Sequence, residues 1–149
     1  MVQETLKNCG IIIILIFTAL SGCNKKIEDR RVFYKAAHGK DTALLTISTY
    51  DQHFSGQYEI WYETRTMRDS GVVDGLISGD TLRGKFKYRT YGGGVNIVPI
   101  IFLRKGNKLV LGSGLATSYM GLVFYSPDYP IEFDNSNFVF DQIQKSKTK

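Results

Sequence analysis

The sequence predicts an all-β fold, an antiparallel meander of about eight strands curled into a small closed or nearly closed barrel. Three observations carry that prediction. From Val32 onward, short runs rich in Val, Ile, Thr, Tyr and Phe recur, with turn signals about every 8–12 residues. No stretch of this part sustains a helical apolar period. Two glycine turns, Gly79-Asp80 and Gly106-Asn107, fix the register of the strands on either side of them.

The chain opens differently. Met1–Gly10 is polar with a single basic side chain, Lys7, and Ile11–Leu20 is an almost purely apolar run. Crossing a bilayer takes about 20 apolar residues, roughly twice what this run supplies. A cationic start, a short apolar stretch and the small residues Ser21 and Gly22 read as a secretory signal over residues 1–22, removed on export. Leu20-Ser21-Gly22-Cys23 resembles the lipobox of bacterial lipoproteins. That resemblance implies that Cys23 becomes the lipid-bearing first residue, carrying palmitate or similar acyl chains. Each buried methylene contributes about 0.8 kcal/mol and two lipid signals suffice for stable anchoring, so membrane attachment is expected to be permanent. Asn24 rather than Asp follows the cysteine, which by likeness to the enterobacterial sorting rule points to the outer membrane, on its periplasmic or its surface face. Residues 23–31 read as a lipidated tether, 32–143 as the barrel domain and 144–149 as a disordered basic tail.

Composition narrows the possibilities. Of 149 residues, 19 are Lys or Arg and 14 are Asp or Glu, a net charge of +5; the signal carries away only Lys7 and Glu4, so the excess persists. What remains suffices for one domain with a core, not two. Cys9 leaves with the signal and Cys23 is committed to lipid, which excludes an intrachain disulfide, a cysteine zinc site and a thiol nucleophile. Nucleic acid is not an expected partner of an exported chain. Anionic headgroups, an envelope protein or plain solvation of a charged face all fit the basic balance.

The first strands read Val32–Ala37, Ala43–Tyr50 and Ser55–Thr64. In the third, Gly56, Tyr58, Ile60 and Tyr62 share one face, and Gln57, Glu59, Trp61 and Glu63 the other. In Ile77-Ser78-Gly79-Asp80-Thr81-Leu82, glycine supplies the positive φ of a type II′ turn. Setting Ser78 opposite Thr81 places Ile77 against Leu82, Gly75 against Gly84 and Val73 against Phe86 inside, with Asp74 against Lys85 outside. Along the return strand Leu82, Gly84, Phe86 and Tyr88 point in, while Arg83, Lys85, Lys87 and Arg89 point out. Inward Gly75 and Gly84 suit sharp bending of a barrel wall. Gly92–Gly94 lacks the Gly-Lys-Ser/Thr ending of a phosphate loop and reads as a flexible connection. Around Gly106-Asn107, Leu103 meets Val110 on one face and Phe102 meets Leu111 on the other, so both faces are apolar and the outer one needs a cover. Leu115–Phe133, apolar without clean alternation, is the candidate, as a lid, a short helix or a further hairpin. Asn137–Ile143 is the closing strand. Eight antiparallel strands can close and so abolish aggregation-prone edges.

The runs Gly39–Leu45, Phe54–Tyr58, Gly75–Leu82 and Phe102–Asn107 together resemble small uncharacterised lipoproteins of Bacteroidota, over roughly residues 20–112. The resemblance implies the envelope location and the barrel and brings no activity with it. Lipocalins share the general architecture, giving a lipocalin-like barrel, but their Gly-x-Trp signature is missing: the sole tryptophan is Trp61, with Glu59 two residues before it. Architecture alone does not give function.

Candidate chemistry is sparse. His38 with Asp41, or Asp51 with His53, supplies two metal ligands at a turn, short of the three or four that a site needs. No Gly-x-Ser-x-Gly elbow is present, and no enzyme, cofactor or metal is expected. Two sites stay open. Tyr58, Tyr62, Phe86 and Tyr88 face inward, where they either line a pocket for a small apolar ligand or fill a core. Arg83, Lys85, Lys87 and Arg89, extended by Arg104, Lys105 and Lys108, make a basic face with no acid between Thr81 and Lys108. Glu59 and Glu63 can neutralise it if their strand lies alongside, and an exposed Trp61 can add to an interaction surface. The expected function is a membrane-anchored envelope interaction module; the alternative is a carrier or sensor holding a ligand in the barrel.

Overall fold

The computed structural model describes residues 31–64, 66–90 and 92–144. Seven strands follow one another: β1 (Val32–His38), β2 (Asp41–Tyr50), β3 (His53–Trp61), β4 (Arg68–Ser78), β5 (Thr81–Arg89), β6 (Val95–Lys105) and β7 (Lys108–Leu111). A separate hairpin, β8 (Ala116–Tyr119) and β9 (Leu122–Tyr125), comes next, and β10 (Val139–Ile143) then slots between β7 and β1. The eight outer strands form a closed antiparallel barrel in the order β1-β10-β7-β6-β5-β4-β3-β2. The meander is therefore interrupted once, by the hairpin.

The register that the Gly79-Asp80 turn demands is the register found: Ser78 pairs with Thr81, Ile77 with Leu82, Gly75 with Gly84, Val73 with Phe86 and Asp74 with Lys85. Gly79 has φ 57°, and Asp80 is not in the positive-φ region, as a type II′ turn requires. At the facing glycines the two backbones nearly touch. A Cβ on Gly84 would lie 2.0 Å from the Asp74 carbonyl oxygen, and one on Gly75 would lie 2.3 Å from that of Arg83. Only glycine lets the wall fold this tightly.

The third strand starts and stops earlier than the alternation suggested. Tyr62 leaves the ladder because its N–H donates to the Met67 carbonyl (3.1 Å), turning the chain toward β4. The Phe102–Leu111 and Leu103–Val110 pairs form as expected. Ile101 and Val110 point outward yet are 1% and 6% exposed. Leu115–Phe133 supplies the cover: it is a hairpin, and behind it Ser113 and Glu132 exchange backbone hydrogen bonds of 2.9 and 2.8 Å. Ile131 and Phe133 converge with Ile101 on Gly112, each close enough to meet a Cβ placed there.

The two ends of the barrel differ. At one end, strands are joined by the two-residue turns Asp51-Gln52, Gly79-Asp80 and Gly106-Asn107, and here β1 begins and β10 ends. Phe54, Leu82, Phe102, Leu109 and Phe140 plug the interior at this end, with Phe102 and Phe140 edge to face at 5.8 Å. The other end carries the Gly39-Lys40 turn and the longer connections from β3 to β4, β5 to β6 and β7 to β10. Here β6 outruns its neighbour, because β7 pairs only with Phe102–Lys105. The stretch of β6 beyond that pairing contains Pro99, which is buried, with β9 packed against the strand. Gly112 N–H donates to the Ile101 carbonyl from the β7 side (2.8 Å), so Pro99, two residues earlier, turns its donor-less nitrogen to the same, unladdered side. A proline inside a strand is tolerated on such an unladdered side.

Candidate functional site

At the end with the longer connections the barrel is not filled. The inward positions of successive strands enclose a cavity of ≈ 360 Å³. Tyr58 and Phe86, 2% and 3% exposed, lie deepest, with ring centroids 4.8 Å apart. Phe86 in turn stacks on Tyr88 at 4.5 Å with 14° between the planes. His38, Asp41, Tyr62, Asp69 and Asn137 form the rim. Pro99, Gly112 and Tyr125 line a side notch where β6 runs past β7.

The polar groups of this cavity are unevenly satisfied. Tyr62 Oη donates to Asp69 Oδ2 at 2.8 Å, and Asp41 Oδ1 accepts the Glu63 N–H at 2.9 Å. The Tyr58 hydroxyl is buried and has no hydrogen-bond partner among the described residues. Such a group carries most of the cost of its lost hydration, about 1–3 kcal/mol. Burial pushes the Tyr58 phenol well above its ordinary range, and the nearby Tyr62 pushes it further. Tyr62 is raised by burial first, then by its hydrogen bond to the Asp69 carboxylate. Tyr125 is raised by burial, partly offset by the positive charge of Arg83. Both inner phenols therefore stay neutral donors at physiological pH.

All four inward aromatics singled out in the sequence, Tyr58, Tyr62, Phe86 and Tyr88, border the cavity. The carboxylates Asp41 and Asp69 were not singled out as lining. The signal was present, because each alternates with core positions: Asp41 with Ala43 and Leu45, and Asp69 with Gly71 and Val73. His38 and Asn137 belong to the same rim, and His38 stands edge-on to Phe138 at 6.3 Å.

Arg83, Lys85, Lys87 and Arg89 are exposed along the outside of β5. Lys85 Nζ lies 3.8 Å from Asp74 Oδ2. Glu59 and Glu63 do not neutralise this face, because β4 stands between β3 and β5. Glu59 accepts a hydrogen bond from Ser70 Oγ (3.3 Å) and Glu63 pairs with Lys40. Trp61 is half-buried rather than exposed, with the Arg68 guanidinium 4.8 Å above its ring. His38 and Asp41 flank the Gly39-Lys40 turn, whereas Asp51 and His53 lie at the opposite end of the barrel. Among the described residues no three His, Cys, Asp or Glu side chains converge as metal ligands. Residues 1–22 and Cys23, the expected lipidation site, lie outside the described residues, as does the chain from 145 onward.

No family model matches the chain, and neither does any curated protein or any solved structure. Its class is accordingly defined by geometry: a closed eight-stranded antiparallel β-barrel with an aromatic cavity at one end.

Proposed function

We propose that this chain is a lipid-anchored binding protein of the bacterial envelope, which takes a small, largely apolar molecule into the open end of its barrel as a carrier or sensor. One observation carries the reading: the unpartnered Tyr58 hydroxyl, buried in the wall of a ≈ 360 Å³ cavity. Small-molecule sites are mostly apolar, about 300–1,000 Å³ in volume, with a few polar groups that orient the ligand. A ligand bringing one hydrogen-bonding group to Tyr58 would recover what the empty fold forgoes. The lipobox-like Leu20–Cys23 supports anchoring through acyl chains on Cys23 after removal of residues 1–22, and Asn24 supports the outer membrane. The reading assigns no catalytic step and no cofactor.

Native mass spectrometry of the chain purified without detergent tests the binding. A reproducible extra mass, released on unfolding, is the expected result and would identify the ligand. A bare mass in the native host as well as in a foreign one would overturn the reading.

A second reading, interaction with an acidic envelope component through the outer surface, is favoured by the β5 face. There Arg83, Lys85, Lys87 and Arg89 stand beside the exposed Val72, Leu76, Val95 and Ile97. Reversing the four cations to Glu should abolish partner recovery after crosslinking in the envelope. Unchanged recovery would eliminate this face.

A further inference from the structure

Resting on the binding reading above, we infer that the cavity selects by charge, for a ligand with an apolar body and an amine or quaternary ammonium head, and against fatty acids and other anions. The chain is basic overall, at +5, yet the cavity lining reverses that balance. Among the described residues it holds the carboxylates of Asp41 and Asp69 and neither a lysine nor an arginine. The cations next in sequence to lining residues are engaged or directed elsewhere: Lys40 pairs with Glu63, Arg68 lies over the Trp61 ring, and Lys85, Lys87 and Arg89 alternate to the outside of the wall.

Each rim carboxylate commits one oxygen internally, Asp41 to the Glu63 N–H and Asp69 to the Tyr62 hydroxyl. A carboxylate has about four acceptor sites, so each keeps capacity for a charged donor. Tyr62 and Tyr88 flank them, offering ring faces of the kind that attract ammonium groups. An anion entering the same space would be stripped of water between two like charges with no lysine or arginine among the described lining residues to pair it. Among the described lining residues His38 is the one whose side chain can carry a positive charge. The carboxylates alone would not define a site. The Tyr58 hydroxyl in the same lining, buried and without a partner, independently marks a missing occupant.

The test is calorimetric titration of the purified chain, at about pH 8, with three probes that share one tail: octyltrimethylammonium, octanol and octanoate. The ammonium probe is expected to bind about tenfold tighter than octanol, and octanoate weakest. The variant D41N/D69N keeps both acceptor positions and should erase the ammonium advantage. D74N/D141N removes two acids of the outer surface and should leave it intact. Octanol or octanoate binding as tightly as the ammonium probe would overturn the charge selection while leaving the cavity reading standing. Binding of none of the three would overturn the cavity reading itself. An ammonium advantage that survives D41N/D69N, or disappears in D74N/D141N, would assign it to another surface and overturn the proposal.

Discussion

The same strands build both ends of the barrel, with opposite contents. At the plugged end the inward positions are Ile47 on β2, Phe54 on β3, Leu82 on β5 and Phe102 on β6, all buried. At the other end the inward positions of β1, β2, β4 and β5 are His38, Asp41, Asp69 and Tyr88, with Tyr62 just past the end of β3. Tight turns hold the first end together, and longer connections leave room at the second. Period-two alternation says only which residues face inward. Whether the inside is a core or a chamber depends on side-chain type along the strand, and here the type changes halfway. One end supplies cohesion and the other a cavity of mixed aromatic and polar lining.

The sharpest way to break that contrast is truncation. Phe102→Ala or Phe140→Ala at the plugged end should each cost about 3–5 kcal/mol, measured by urea unfolding. Tyr88→Ala, at the half-buried rim, should cost less than about half as much. Equal losses would mean that the rim is core after all.

Alkaline titration probes the open end selectively. Tyr58 and Tyr62 are both raised above the ordinary value of 10.0, so the fold favours their neutral forms. The stability they contribute is complete below that value and is lost as pH rises through their folded values. Tyrosinate absorbance should show Tyr58 and Tyr62 titrating last among the phenols, and unfolding midpoints should fall only above about pH 10. Ordinary titration of every tyrosine would remove the case for a dry interior at this end.

Smaller effects sharpen the comparison. Tyr58→Phe deletes an unpartnered hydroxyl and should stabilise the ligand-free chain by about 1 kcal/mol while weakening any bound ligand. Opposite signs for stability and binding are what a site predicts, whereas a core tyrosine would lose both or neither. Smallest is the hairpin turn, where Met120 has φ 50° beside Gly121 at 79°. This geometry suits Asn far better than Met, so Met120→Asn should gain up to about 1 kcal/mol in a thermal melt without touching ligand affinity.

The parts legible in the sequence are those where alternation and a turn agree. The β4–β5 hairpin is one, because Gly79-Asp80 fixes the pairing and four cations alternate with Leu82, Gly84, Phe86 and Tyr88. The start of β4 was hidden, because Asp69 on an inward position reads as loop. It is inward because the cavity, not the core, lies beside it. The hairpin of β8 and β9 resisted assignment for a related reason: Ala116–Tyr119 is exposed on both faces, so nothing imposes an in–out rhythm on it. Both gaps fall at the cavity end, where burial no longer dictates residue type.

Pro99 has a consequence for company. An unladdered stretch of strand can recruit another strand, and beside this one, where Pro99 is buried, β9 of the same chain is packed. The rung at Pro99 cannot be completed, because its nitrogen has no hydrogen to give. The missing donor makes this stretch of β6 a poor foothold for a strand of another chain.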